Sequence, residues 1–227
     1  MGINFTIINI VLQFWILNME LNNQNTANLI IISSPSGGGK TSLVRELLSS
    51  LDKIKISISY TTRNKRVGEE DGKDYFFVSQ QDFISMQQAN AFLENAEVFG
   101  YQYGTSGQAI AANMQLGIDT ILVIDWQGAK QLRSKIPNTI SIFILPPSTL
   151  ELKNRLYKRN LDTQEVMEHR MLQAQDDMLH YDEYDFLVVN DNFAQARQEL
   201  ITIILAQRLK TAIQKVKLAG TIQQLLE

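Results

Sequence analysis

Leu29–Leu47, LIIISSPSGGGKTSLVREL, is the stretch that decides how this chain is read. Leu29–Ser33 is a short apolar run bounded by a turn, the pattern of a buried strand. Ser34, Pro35, Ser36, Gly37, Gly38 and Gly39 form the turn, and Gly39–Leu51 reads as a helix with Leu43, Val44, Leu47, Leu48 and Leu51 apolar. Residues without a Cβ let successive backbone N–H groups converge on phosphate oxygens. In such a turn Lys40 reaches the β- and γ-phosphates of ATP, and the Thr41 hydroxyl ligates the accompanying Mg²⁺. The helix that follows adds its positive dipole end. Against G-x-x-x-x-G-K-[ST], the chain departs only at Ser34, where the first glycine would stand. A cradle of this kind serves ATPases, GTPases, motors and kinases alike, so the destination of the phosphate has to be read elsewhere.

Outward from this stretch the chain alternates strands and helices. Ile54–Tyr60 alternates apolar and polar residues as a half-buried strand. Tyr75–Val78, Thr120–Ile124, Ser141–Leu145 and Phe186–Val189 are further strands, and Gln81–Gln88 is helical. Pro146 and Pro147 end one strand; Ser148 with Glu151, and Asp162 with Glu165, are capping-box signatures, the second opening a helix from about Thr163 to His180. One long helix is expected after Asn192, apolar at Leu200, Ile203, Ile204, Leu209, Ile213 and Val216. Continuous apolar strands interleaved with helices predict an α/β fold, a three-layer P-loop NTPase-type core whose parallel sheet is covered on both faces. Ligands in such sheets sit beyond the carboxyl ends of the strands, where the glycine turn, Asp125 and the Pro146 turn all fall.

The 227 residues are 44% hydrophobic and 20% charged, suited to one globular domain, and no linker or internal repeat divides them. A net charge of −3 disfavours a general nucleic-acid binder. Cysteine is absent and His169 and His180 are the only histidines, which removes disulfides, Cys-zinc sites and a His-rich metal centre. The composition fits a reducing cytoplasm. Residues 1–26 include INFTIINIVLQFWILNM, with no Lys or Arg before Lys40. It lacks the basic region of a signal peptide, and Asn and Gln interrupt a run already short for a membrane span. The expectation is a start at Met19 with residues 1–18 an upstream extension; a membrane-surface anchor or an extra packed helix are the alternatives.

Beyond the cradle, Arg63 and Arg66 lie three apart in a charged loop upstream of Tyr75. Two close arginines in an acidic protein suggest a second anion site, since guanidinium forks match phosphate oxygens, although a loop arginine is ordinarily solvated. AFLENAEVFGYQYGTS holds Glu94 and a Tyr103-Gly104-Thr105 turn. ILVIDWQGAKQ ends a buried strand in Asp125, a ligand contact or a cap for the next helix.

At this point the residues carry a resemblance. SSPSGGGKTSL, TTR…R…GEEDGKDYFFV, FLENAEVFG, YGTS, IDWQGA, SIFILPPS and YDEYDFLVVND stand in the order and spacing of guanylate kinases, from about Asn28 to Leu209. The resemblance implies transfer of the γ-phosphate of ATP to GMP with Mg²⁺. It implies a core within residues 27–209, a GMP-binding lobe near 59–106, a helical lid near 148–172, and a tail over 210–227. It matches Glu94 to a carboxylate accepting from guanine N1–H and N2–H₂, Asp125 to a second guanine contact, and Ser59 and Thr105 to hydroxyls on the base. Arg63, Arg66, Tyr75 and Tyr103 match the clamp on the GMP phosphate. Lys40 and the lid residues Arg155, Arg159 and Arg170 match the catalytic cations, and Asn190 a contact near adenine. ATP and GMP are then the partners, with no nucleic acid and no stable membrane association; the oligomeric state stays open, a homodimer among the options.

Three departures from the family pattern bear on rate and metal affinity: Ser34, the run GYQYG, and Val123 where an acidic residue is usual. Strand alternation would put residues 123 and 125 on one face, so a contact to the Mg²⁺ shell is in doubt. The rival readings are a scaffold module that has lost catalysis, a kinase for another nucleoside monophosphate, and a GTPase. The intact cradle and lid arginines speak against the first, Glu94 against AMP, and the lack of an Asn-Lys-x-Asp signature against the third.

Overall fold

The computed structural model describes residues 26–158 and 164–227. The upstream extension with Met19, Arg159, and the Asp162 signature with the helix start at Thr163 lie outside the described residues.

The core is a five-stranded parallel sheet in the order β2-β7-β1-β8-β9: β1 Leu29–Ser33, β2 Ile54–Ile56, β7 Asp119–Val123, β8 Ile140–Leu145 and β9 Phe186–Val189. β1 is central, with Ile30 opposite Ile121 of β7 on one side and opposite Ile140 of β8 on the other. Its alternation builds two cores at once. Leu29 and Ile31 pack with Leu122, Phe143, Ile110 and Leu132 on one face; Ile30 and Ile32 pack with Leu43, Leu47, Ile121, Leu200 and Ile204 on the other. The first face is covered by α3 (Gly107–Gln115) and α4 (Trp126–Lys135), the second by α1 (Lys40–Ser50) and α7 (Phe193–Arg208). At the amino end of the sheet, buried Asp119 accepts from the Asn28 backbone N–H at 2.6 Å and from Arg208 Nε at 2.7 Å, pinning the end of α7.

A second sheet, β4-β3-β6-β5, leaves the core between β2 and α3. It consists of β3 Tyr60–Thr61, β4 Phe76–Phe77, β5 Phe92–Val98 and β6 Tyr101–Ser106, with α2 (Gln80–Gln88) packed on it through fully buried Phe83. Stacked Phe83–Phe92 and Tyr60–Phe76 rings, with centroids 4.6 and 4.8 Å apart, make its small core. Gln131 of α4 brackets Asn95 of β5, its Nε2 donating to the Asn95 carbonyl and its Oε1 accepting the Asn95 N–H. α4 therefore joins the two sheets.

The structure corrects two expectations and adds two strands that the sequence pattern did not signal. Ile54–Tyr60 is not one strand: Ile54–Ile56 pairs with β7, and Tyr60–Thr61 belongs to the second sheet, because the chain crosses between layers at Ser57–Ser59. β5 and β6 went unread, their polar residues hiding the period. The long terminal helix is three: α7 ends at Arg208, Lys210 turns to an extended conformation, and α8 (Thr211–Lys217) and α9 (Ala219–Leu226) follow. Beyond β8, α5 (Thr149–Lys158) and α6 (Gln164–Leu179) pack through Leu152, Leu156 and Ala174. Ser148 caps α5 as expected, accepting the Glu151 N–H at 3.1 Å.

Candidate active site

The glycine turn lies between β1 and α1, at the carboxyl end of the sheet. Gly37 and Gly39 take φ of 86° and 93°, a region that L side chains enter only under strain. Space is equally restrictive. A Cβ on Gly39 would collide with Asn190 Nδ2, and one on Gly37 would press on Leu152 and Leu156 of α5. Asn190 follows β9 and anchors the loop, its Nδ2 donating to the Gly38 carbonyl at 2.9 Å. Buried Ser34 stands where the first glycine was missing, its hydroxyl bonded to the Pro35 carbonyl at 3.0 Å. Pro35 is buried, Ser36 half-buried, and Thr41 is exposed in the first turn of α1 beside Lys40. Burial draws the Lys40 ammonium below the ordinary lysine value, against the pull of Asp125 and Asp177.

Asp125 caps α4, Oδ1 accepting the Gly128 N–H at 2.9 Å. Its carboxyl is raised by burial, with the Gly128 N–H and Lys40 opposing. The strand ends at Val123, which packs with the α1 face; Asp125, two residues on, is the N-cap of α4.

Glu94 of β5 is buried at 2% exposure beside Thr105 of β6, where a register shift in β5 turns it inward. Its carboxylate lies directly on Gly128, so closely that a Cβ there would overlap it. The carboxyl is pushed up to about 7, by burial first, with Asp125 adding to the rise and Thr105 and Lys135 opposing it. Ser59 and Thr105, both buried, share a hydrogen bond of 3.2 Å. Glu94, Ser59, Thr105 and Asp125 thus come together on one side of the cradle, and Asp125 acts on both Glu94 and Lys40.

The second cationic cluster forms on the same small sheet. Arg63 is 8% exposed and lies over the rings of Tyr75 and Phe77, 5.5 and 5.7 Å from their centroids. Tyr75 meets Tyr103 edge-on at 5.8 Å. Burial works against the Arg63 charge, but Glu69 and Tyr103 outweigh it and leave the guanidinium raised. Arg66 bonds Glu69 through its backbone N–H at 2.8 Å; its side chain is exposed, and its charge still acts on Glu69 and Tyr75.

The expected lid cations divide. Arg155 is held beside the cradle, donating to Glu151 at 2.8 Å and to the Asn190 carbonyl at 3.0 Å. Arg170 lies on α6, over the ring of Phe99. Two acidic residues went unread. Glu69 accepts from one Arg63 guanidinium nitrogen at 2.7 Å, while the other donates to the Asn64 carbonyl; the GEED run contained Glu69 without distinguishing it from its solvated neighbours. Asp177 of α6 faces Lys40 and Asp125, and its carboxyl rises to about 6 through burial, with Gln173 and Lys40 opposing. No sequence signal separates it from Asp176. The arrangement can hold a polyphosphate at the glycine turn and a second anion at Arg63, with a buried acceptor cluster beside them.

Comparisons with known proteins agree. The guanylate kinase family model matches residues 26–207. The guanylate kinase of Coxiella burnetii is 50% identical over 203 residues, covering 89% of this chain and 98% of that one. That of Escherichia coli K12 is 50% identical over 200 residues, covering 87% and 97%. The crystal structure of guanylate kinase from Anaplasma phagocytophilum superposes with a TM-score of 0.70 at 33% identity, over 82% of this chain and 88% of the other.

Proposed function

The chain belongs to the guanylate kinase family, and we propose that it transfers the γ-phosphoryl group of Mg-ATP to GMP, giving ADP and GDP. The observation that carries the acceptor assignment is the buried Glu94 carboxylate beside Ser59, Thr105 and Asp125. Guanine N1–H and N2–H₂ are adjacent donors that one carboxylate accepts together. A base without them leaves a buried acceptor unpaired, which discriminates by orders of magnitude.

In this reading the cradle of Ser34 to Thr41 holds ATP, with Asn190 fixing the loop that contacts it. Arg63, Tyr75 and Tyr103 take the GMP phosphate, and Glu69 yields the Arg63 fork to it. Arg66 swings in from solvent to complete the clamp. Lys40, Arg155, Arg159 and Arg170 stabilise charge on the transferring group, so catalysis is in-line positioning plus electrostatics. The donor set fits a nucleotide-borne magnesium ion: Thr41 is an exposed hydroxyl-bearing residue, and the described residues contain no cluster of three or more His, Cys, Asp or Glu that would form a protein cage. When bound with ATP, Mg²⁺ offsets phosphate charge. Two polyanions must meet within an acidic protein, and the cations of cradle, clamp and lid offset their repulsion. We place the reaction in the cytoplasm, which the absence of cysteine supports; among the described residues no helix is long and apolar enough to cross a membrane.

The test is ADP formation from Mg-ATP with GMP, AMP, CMP or UMP as acceptor. GMP-dependent turnover that collapses in Glu94→Ala is expected. Turnover with another monophosphate would overturn the guanine assignment, and GMP binding without turnover would point to a scaffold module.

A further inference from the structure

The loop joining β5 to β6 has two residues, Phe99 and Gly100, with φ of 52° and 75°. Val98 pairs with Tyr101 across it. Such turns take Asn-Gly or Asp-Gly, because a bulky side chain is strained in the left-handed region. This chain places a phenylalanine there and leaves it 39% exposed. Neither the turn nor the core calls for that ring. What it touches is α6: the His169 ring at 6.2 Å between centroids, and the Arg170 guanidinium 5.8 Å from the Phe99 centroid.

The two sides of this contact belong to different halves of the reaction. Phe99 ends the β5–β6 hairpin that carries Glu94, Tyr103 and Thr105. Arg170 is one of the cations assigned to the transferring phosphoryl group. We propose that Phe99 is a positioning residue through which the acceptor side of the enzyme holds Arg170 in place for transfer; this rests on the kinase reading above. The ring face attracts the guanidinium and limits where its fork can point. The hairpin that also holds the acceptor thus sets one of the contacts that orient the arginine.

Phe99→Asn separates this role from a structural one, since asparagine suits the turn better than phenylalanine. The variant should keep or raise its urea midpoint while kcat falls about two- to fivefold, the worth of an exposed cation–π contact. KM for GMP should be unchanged, because the ring acts on the lid rather than the base. Phe99→Trp should retain the wild-type kcat. In an Arg170→Met background Phe99→Asn should lower kcat no further. An active wild type whose kcat survives Phe99→Asn, or whose losses multiply independently in the double variant, overturns the latch alone. A wild type without GMP-dependent ADP formation overturns the kinase reading and the latch with it.

Discussion

Protonation of Glu94 should control GMP affinity near neutral pH. Burial raises its carboxyl from 4.5 to about 7 in the free protein, while guanine needs the ionised form. At pH 6 only about one molecule in eleven is ionised, so the apparent Kd for GMP should be about tenfold weaker than at pH 8. GMP complicates the measurement, because its phosphate has a second pKa of about 6 and Arg63 favours the dianion. Glu94→Gln removes one titration and keeps the other. It should bind GMP on the order of a hundredfold more weakly at pH 8, having lost charge-assisted acceptors. Its residual pH dependence then reports the phosphate. Calorimetric titration at pH 6 in two buffers of different ionisation enthalpy should show the wild type releasing about one more proton per GMP than the variant. The same shift acts on folding. A carboxyl raised by folding contributes stability that is full below about pH 4.5 and is lost as pH rises through about 7. The loss approaches about 3 kcal/mol, so ligand-free Glu94→Gln should unfold at higher urea than wild type at pH 8, and the two should converge at pH 4.5. Equal proton release and parallel pH profiles would refute the reasoning.

Four further changes bear on the site. Lys40→Ala should reduce kcat by at least about a hundredfold with the fold intact by circular dichroism, since in the proposed mechanism it removes a donor to developing charge. Gly39→Ala forces a Cβ onto Asn190 at a φ of 93°, so it should abolish detectable ATP binding and cost on the order of 2 kcal/mol in urea denaturation. Gly128→Ala pushes directly on the Glu94 carboxylate and should raise KM for GMP while leaving KM for ATP unchanged, as measured by steady-state kinetics. Leu47→Ala, at a fully buried position on the core-facing side of the cradle helix, should destabilise by about 3 kcal/mol in the same denaturation assay.

Some of this was legible because it is local. The strand Leu29–Ser33, the turn after it and the helix beginning at Lys40 are contiguous, and short-range rules of periodicity and glycine chemistry suffice to read them. The caps at Ser148 and Asp125 follow from residue type at a helix start. β5 and β6 were missed because Glu94, Asn95, Glu97 and Gln102 break the apolar alternation that marks a strand. The terminal helix was overread because Leu209, Ile213 and Val216 continue its period across a turn at Lys210 that only backbone geometry records.

The sequence by itself determined the parallel α/β core and the phosphate cradle, and the order of its motifs carried the resemblance from which residues are proposed for each nucleotide. Tertiary structure decided which of those residues meet and in what state. Ser59, Glu94, Thr105 and Gly128 converge from separate elements, and only their packing places a carboxylate where burial lifts it to about 7. It likewise gave Arg63 to Glu69, left Arg66 in solvent, and set Arg170 on Phe99. The physical reason is that backbone preference acts between neighbours in the chain, whereas desolvation and charge pairing depend on neighbours in space.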